Sequence, residues 1–118
     1  MPNCNNKKYE NEFVNLMNLK GYPAMRIAGS GIGEEAVCDC VMFRDGRTFL
    51  VEVKATKEEK FYFRQGIKEQ LQAMIDYAVK TNCIALLAIK FKRRGWKYVN
   101  LQGCLDGSID YEDCSDRN

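Results

Sequence analysis

The sequence lacks three features that would each point to a familiar kind of site or location. Its 118 residues contain no histidine, and its six cysteines form no Cys-x-x-Cys pair, so a zinc site is not expected. No apolar run is long enough to cross a bilayer, and the N-terminus lacks the apolar segment of a signal peptide. No Gly-Lys-Ser/Thr follows the glycine-rich stretch, so this stretch is not a P-loop. We therefore expect an intracellular protein without a zinc site.

The charged residues are distributed unevenly along the chain. Residues 1–100 hold 17 Lys and Arg against 11 Asp and Glu, whereas residues 101–118 hold one basic and five acidic residues. A basic body with an acidic tail is typical of a nucleic-acid binder, although a solvated surface gives similar numbers. Hydrophobic residues at 46% are enough for one packed core. We predict one domain over residues 1–101 and an acidic, flexible tail over residues 102–118.

Periodicity and turn signals predict two helices and five strands. Apolar residues at helical spacing indicate a helix over residues 7–20, which Gly21 ends. A second helix begins near Ile67, where apolar residues follow the pattern i, i+4, i+7, i+8, i+11. A strand that follows this helix is expected to be parallel to an earlier one through a crossover. The strands are predicted at residues 24–28, 36–43, 48–54, 83–91 and 96–101.

The strand Phe-Leu-Val-Glu-Val-Lys at residues 49–54 carries two charges in an apolar setting. Alternation places Glu52 and Lys54 on one face, and the turn signal Asp45-Gly46 predicts a hairpin that brings Asp39 near Glu52 on that face. Two nearby carboxylates raise each other's pKa unless a cation neutralises them, which is the arrangement that a divalent metal needs. The alternative is an edge strand with solvated charges.

Three further segments are candidates for the same site. Glu10 continues the apolar stripe of the first helix, so it lies at the rim of a core-facing surface or is simply an acidic residue in a first helical turn. Ser30, in a loop with three glycines in five positions, is suited to donate to a phosphate or to make a turn. The basic-aromatic stretch at residues 57–64 is suited to contact a nucleic-acid backbone or to bury its rings at an interface.

The order Asp39…Glu52-Val53-Lys54 matches the D-x(n)-E-x-K core of the PD-(D/E)xK nuclease superfamily, with Cys38 where proline often precedes the aspartate. The surrounding order is more specific, and over residues 7–101 it resembles the archaeal Holliday junction resolvases. A longer insertion at residues 31–36 and the acidic tail depart from the family pattern. The segments that carry the resemblance are YENEF at 9–13, RIAGS at 26–30, the hairpin, LAIKF at 87–91 and Gly95-Trp96.

The resemblance implies an α/β fold with a restriction-endonuclease-like core, a mixed sheet of about five strands flanked by helices. It implies a cytoplasmic homodimer, in an archaeal or archaeal-virus-infected cell, that cuts branched DNA using Mg²⁺, with Mn²⁺ as a substitute. Glu10, Asp39, Glu52 and the Val53 carbonyl then belong to the metal site. The catalytic set is Glu10, Ser30, Asp39, Glu52 and Lys54, and DNA contacts are expected from Arg26, Ser30, Lys57, Lys60 and Arg64.

Two other functions stay open from the sequence. One is a different nuclease of the same superfamily that acts in DNA repair or restriction-like cleavage, which cleavage of a four-way junction and of a linear duplex would distinguish. The other is a catalytically silent DNA-binding module, which a Mg²⁺-dependent cleavage assay would reveal. Intact acidic positions and an intact lysine argue against the silent module.

Overall fold

A central sheet of five strands carries a helix on each face in the computed structural model of this protein, which describes residues 4–27, 37–101 and 108–110. Within these residues no helix is both long and apolar enough to cross a membrane. The elements are α1 (Cys4–Leu19), β1 (Ala24–Arg26), β2 (Cys40–Arg44), β3 (Arg47–Thr56), β4 (Lys60–Tyr62), α2 (Gln65–Thr81), β5 (Ile84–Phe91), β6 (Gly95–Asn100) and β7 (Ser108–Asp110).

The strand order in the main sheet is β1-β2-β3-β5-β6. β3 and β5 are parallel, and the other neighbours in this sheet are antiparallel. The parallel pair requires a crossover connection, and α2 provides it. The sequence predicted this crossover from the helix that lies between the two strands. The mixed five-stranded sheet flanked by helices is therefore confirmed.

Alternation along β3 divides the core into two layers. Leu50 packs in the cluster that contains Leu71 of α2, whereas Val51 and Val53 pack in the cluster that contains Phe13 of α1. Successive strand side chains point to opposite faces, so one strand supplies apolar contacts to both helices. Glu52 and Lys54 have the same alternation as Leu50 and lie on the α2 side of the sheet.

The β2–β3 hairpin has the tight turn that its sequence predicts. Asp45 and Gly46 have φ angles of 53° and 78°, the two left-handed central positions of a type I′ turn. Aspartate and glycine tolerate this conformation, and its twist matches that of the paired strands. The turn fixes the pairing of β2 with β3, in which Arg44 faces Arg47 and Cys40 faces Val51.

Some predicted boundaries and exposures differ from the structure. α1 begins at Cys4, and β2 begins at Cys40, one residue after Asp39. The stretch at 57–64 was expected to be exposed, but Phe61 is only 6% exposed and packs edge-on against Phe63. Phe61 lies in β4, which pairs with β7, and its ring packs in the core cluster that contains Leu71. Pairing between such distant segments leaves no local signal in the sequence, so the burial of Phe61 was not predicted.

The pairing of β4 with β7 reaches into the segment predicted to be a tail. Residues 108–110 form β7, and Ile109 packs against the cluster under α2. The domain boundary at residue 101 stays a prediction, but a strand beyond it was not expected.

Candidate active site

Asp39 and Glu52 lie beside one another just beyond the paired residues of β2. The β2–β3 ladder ends at the pair of Cys40 and Val51. The Asp39 N–H then donates to the Val51 carbonyl (3.0 Å), and the Asp39 carbonyl accepts from the Ile27 N–H (2.8 Å). Backbone hydrogen bonds therefore hold Asp39 next to the part of β3 that carries Glu52.

The Asp39 carboxylate is held by the strand that it faces. Its Oδ2 atom accepts a hydrogen bond from the backbone N–H of Val53 at 2.9 Å. Burial raises the pKa of Asp39, and the charge of Glu10 adds to this, while the Val53 hydrogen bond and Lys54 act in the opposite direction. Burial therefore destabilises the ionised Asp39 carboxylate, and the hydrogen bond from Val53 offsets only part of this effect.

Glu52 is the more deeply buried carboxyl group, with 2% of the residue exposed. Burial, and next the negative charge of Asp39, raise the pKa of Glu52 to about 8. Lys54 opposes this shift from its Nζ atom, which lies 3.4 Å from the Glu52 Oε2 atom. One ammonium group therefore faces two clustered carboxyl groups, a surplus of negative charge that a further cation would relieve.

Lys54 is oriented by a residue that the sequence did not suggest. Its Nζ atom donates to the Oε1 atom of Gln70 at 3.0 Å. Gln70 lies in α2, which crosses the sheet on the same face as Glu52 and Lys54. No sequence signal could have identified Gln70, because the contact depends on how the crossover helix packs.

Glu10 lies in α1 and is 8% exposed. The Nε atom of Arg26 lies 3.0 Å from its Oε1 atom, which forms a partly buried ion pair. The negative charge of Glu10 also raises the pKa of Asp39, so Glu10 is close enough to the two carboxyl groups to affect them. Arg26, expected at the DNA, makes this intramolecular contact.

The remaining predicted site residues lie around this centre or outside the described residues. Lys57, Lys60 and Arg64 are exposed and follow Lys54 along the chain, at the end of β3 and before α2. Ser30 and its glycine-rich loop lie outside the described residues. The residues that the structure brings together are Glu10, Arg26, Asp39, Glu52 and Lys54.

The chemistry of this group suits a divalent cation, although its side chains do not form a complete cage. Within the described part of the chain, no three acidic or cysteine side chains are arranged to hold an ion together. Asp39 and Glu52 nevertheless supply clustered hard oxygen atoms, and the buried Glu52 carboxylate is costly without a counter-charge. Two carboxylates are a sufficient protein contribution for Mg²⁺, which usually keeps several water ligands.

Comparisons with known proteins identify the family of this chain. The family model described as archaeal Holliday junction resolvase (Hjc) matches residues 2–108. The chain is 30% identical over 96 residues to the crossover junction endodeoxyribonuclease Hjc of Archaeoglobus fulgidus, covering 80% of this chain and 68% of that protein. It is 25% identical over 87 residues to the crossover junction endodeoxyribonuclease of Sulfolobus islandicus rod-shaped virus 1, covering 74% of this chain and 72% of that protein.

The fold is also that of a solved relative. The solved structure of Archaeoglobus fulgidus Hjc, a Holliday junction resolvase from an archaeal hyperthermophile, superposes with a TM-score of 0.70 at 23% identity, covering 92% of this chain and 90% of that one. At this identity the superposition shows a shared fold. Together with the match to the family model over residues 2–108, it shows that this chain belongs to the archaeal Holliday junction resolvase family.

Proposed function

We propose that this chain is a Mg²⁺-dependent endonuclease that resolves four-way DNA junctions by symmetric phosphodiester hydrolysis. The observation that carries the proposal is the pair of Asp39 and Glu52, which lie close together beside Lys54 in a chain of the resolvase family. Both relatives described above are named crossover junction endodeoxyribonucleases. Because they come from an archaeon and a virus, we place this activity in the cytoplasm of an archaeal or virus-infected cell.

The proposed metal ligands are Asp39, Glu52 and the carbonyl of Val53. Asp39 is already directed at this part of β3 by its bond to the Val53 N–H, and Glu52 is the neighbouring residue. A bound Mg²⁺ would lower the pKa of a coordinated water and offset charge on the scissile phosphate. The role of the two carboxylates is to fix that ion at the end of the β2–β3 pair.

Lys54 would orient the attacking water or neutralise charge on the phosphate. Its ammonium lies between the Glu52 carboxylate (3.4 Å) and the Gln70 amide oxygen (3.0 Å), so two acceptors restrict the long side chain. From there it can donate a hydrogen bond to the attacking water or stabilise negative charge that develops on the phosphate. Glu10, held by Arg26, would assist directly or through a water molecule.

Basic residues beyond Lys54 would hold the DNA backbone. Lys57, Lys60 and Arg64 are exposed, and all three lie between the end of β3 and the start of α2. Cations on such a short segment can contact successive phosphates, and binding would weaken as salt rises. Ser30 is proposed at the same phosphate face, and Arg26 would reach the DNA beside Glu10.

A junction must be cut in two strands, so one site per chain calls for a two-fold homodimer. The candidates for this interface are the aromatic rings at residues 61–63, the helix α2 and Trp96. Phe61 is buried within the chain, whereas Tyr77 and Val79 of α2 are 49% and 75% exposed. We therefore favour α2, and sedimentation equilibrium at the concentration used for cleavage tests the dimer. A monomer at that concentration would contradict it.

Cleavage of a synthetic four-way junction and of a linear duplex with the same sequence tests the proposed function. With Mg²⁺ the wild-type protein should cut the junction into paired duplexes and leave the linear duplex intact, and EDTA should stop the reaction. Asp39→Ala and Glu52→Ala should both be inactive. Asp76→Ala removes an exposed acid of α2 as the matched control and should cut normally. Junction cleavage that survives Asp39→Ala or Glu52→Ala would overturn the metal site.

A further inference from the structure

A cavity of about 720 Å³ opens at the end of the sheet away from the acidic pair. Its floor contains Phe49 at the start of β3 and Ile84 at the start of β5, which are paired in the sheet. Phe49 has the alternation of Val51 and Val53, on the α1 face, whereas Glu52 lies on the α2 face. This hairpin-end cavity is therefore separate from Glu52 in both position along the strand and face of the sheet.

Three cationic side chains surround the hairpin-end cavity. Lys20 lies at the end of α1, and Arg44 and Arg47 flank the turn of the β2–β3 hairpin. Among the described residues that line it, the only acid is Asp45, whose side chain is 83% exposed and whose Oδ2 atom lies 3.5 Å from the Nε atom of Arg44. An exposed ion pair of this kind neutralises little of the positive charge of Lys20, Arg44 and Arg47, so the edge of the cavity favours an anion.

The walls of the hairpin-end cavity favour a flat, apolar group. Tyr22, Phe49 and Tyr98 all line it, together with the apolar side chains of Met42 and Leu86. Two of the cations already lie over aromatic rings, since Arg44 is 4.5 Å from the centre of Tyr22 and Lys20 is 5.8 Å from the centre of Tyr98. Aromatic faces beside cations are the combination on which nucleic-acid bases stack while their phosphates are neutralised.

We propose that the hairpin-end cavity binds a nucleotide, with its base among Tyr22, Phe49 and Tyr98 and its phosphate at Lys20, Arg44 and Arg47. The volume lies within the range of small-molecule sites. The same chemistry is offered by a free nucleotide and by an unpaired nucleotide of a DNA strand. A second copy of this chain is a poor occupant, because a two-fold interface centred here would bring the three cations against their own copies.

Titration of the wild-type protein with thymidine monophosphate in EDTA tests this site without nuclease activity. Trp96 is the single tryptophan of the chain and stacks on Tyr98 with ring centres 6.3 Å apart, so its fluorescence should report binding. Calorimetry provides an independent readout. We expect saturable binding of thymidine monophosphate and at least tenfold weaker binding of thymidine and of inorganic phosphate, since each lacks one half of the ligand. No saturable binding, or equal binding of thymidine, would overturn the proposal.

Charge-reversal variants locate the binding on the chain. Lys20→Glu and Arg47→Glu change exposed side chains, so circular dichroism should show an intact fold while affinity falls at least tenfold. Lys80→Glu makes the same charge change on an exposed position of α2 and should leave affinity unchanged. Wild-type affinity in both Lys20→Glu and Arg47→Glu would overturn the assignment. The result is independent of the nuclease proposal, because Glu52→Gln should bind the nucleotide normally.

A ten-nucleotide oligothymidylate distinguishes the two sources of the ligand. If the cavity holds an unpaired nucleotide of a strand, the oligonucleotide should bind at least tenfold more tightly than thymidine monophosphate and compete with it. Its affinity should then fall in Lys20→Glu. If the ligand is a free nucleotide, the oligonucleotide should not displace thymidine monophosphate. An oligonucleotide that displaces the nucleotide yet is insensitive to both Lys20→Glu and Arg47→Glu would contradict the cavity as the binding site.

Discussion

Asp39 accepts a hydrogen bond through its Oδ2 atom from the backbone N–H of Val53, with an N···O distance of 2.9 Å. Val53 directly follows Glu52, so this single bond ties one carboxylate to the strand that carries the other. Val53 is fully buried, and the hydrogen bond from its N–H to Asp39 is partly buried. The bond therefore positions the acidic pair and also satisfies a buried donor.

Substitutions at Asp39 should separate these two roles. Asp39→Ala leaves the Val53 N–H without an acceptor, which should lower the free energy of unfolding by about 1–3 kcal/mol. Asp39→Asn keeps an acceptor oxygen and removes the negative charge beside Glu52, so stability should be unchanged or higher. Both variants should lose junction cleavage by roughly 100-fold or more, since both lose a metal-binding charge. Urea unfolding and single-turnover cleavage measure the two effects, and a similar stability loss in both variants would contradict the hydrogen-bond role.

The raised pKa of Glu52 predicts a pH dependence of stability in metal-free protein. The pKa of the folded state, about 8, lies above the ordinary value of 4.5, so the folded protein binds more protons between these values. The contribution of this group to the free energy of unfolding is therefore fully present below pH 4.5 and is lost as pH rises to about 8. Glu52→Gln cannot titrate and should lack this component.

Urea unfolding of the wild-type protein and Glu52→Gln in EDTA, from pH 5 to pH 9, measures the component as a difference. The gap between the two proteins should widen with pH in favour of Glu52→Gln. Parallel curves over this range would show that Glu52 is ionised normally in the folded protein.

The charge of Lys54 should affect the pH dependence of cleavage through the pKa of Glu52. Lys54→Met keeps most of the apolar stem but removes the charge 3.4 Å from Glu52, so the pKa of Glu52 should rise further. Cleavage should then shift to higher pH and fall at every pH. Lys54→Arg retains the charge and should keep the pH profile near that of the wild type. A pH–rate profile for the three proteins checks this, and an unshifted profile in Lys54→Met would argue against the ion pair.

Gln70 is predicted to position Lys54 without contacting the substrate. Gln70→Ala removes the acceptor at 3.0 Å from the Lys54 Nζ atom, so the ammonium should become less restricted. We expect a several-fold loss of single-turnover rate with little change in junction affinity. Gln72→Ala is the matched control, because Gln72 is exposed on the same helix and bonds to Asp76 instead. Equal rates in both variants would remove Gln70 from the site.

The packing of α2 on the sheet should dominate global stability. Leu71 lies on the sheet-facing side of α2 and is fully buried, and Leu71→Ala should reduce the free energy of unfolding by about 2–5 kcal/mol. Gln72 is exposed on the same helix, and Gln72→Ala should change the free energy of unfolding by less than about 0.5 kcal/mol. Denaturant unfolding of the two variants tests this, and similar midpoints would contradict the assigned faces of α2.

Local signals were sufficient for the elements that build the site. Asp45-Gly46 predicted the hairpin because few residues adopt two positive φ angles in succession, and the end of this hairpin brings Asp39 close to Glu52. The apolar spacing from Ile67 predicted α2, and the run at 83–91 predicted the buried strand β5, because burial on a helix or sheet requires a regular apolar pattern.

Contacts between distant segments were not predictable in the same way. The pairing of β4 with β7 buries Phe61, yet three-residue strands carry no periodicity that a sequence reveals. The Glu10–Arg26 ion pair and the Gln70–Lys54 hydrogen bond each depend on how a helix packs on the sheet. Such contacts follow from tertiary packing, so the sequence predicted that Asp39 lies near Glu52 but not that Glu10 pairs with Arg26 or that Gln70 bonds to Lys54.

Calorimetric titration of Mg²⁺ into the metal-free protein at pH 8 tests most directly whether Asp39 and Glu52 form the metal site. The wild-type protein and Asp76→Asn, which alters an exposed acid of α2, should show the same saturable uptake with release of protons. Asp39→Asn and Glu52→Gln should show none at the same concentrations. Wild-type uptake of Mg²⁺ by Asp39→Asn and Glu52→Gln, both confirmed as folded, would contradict the account.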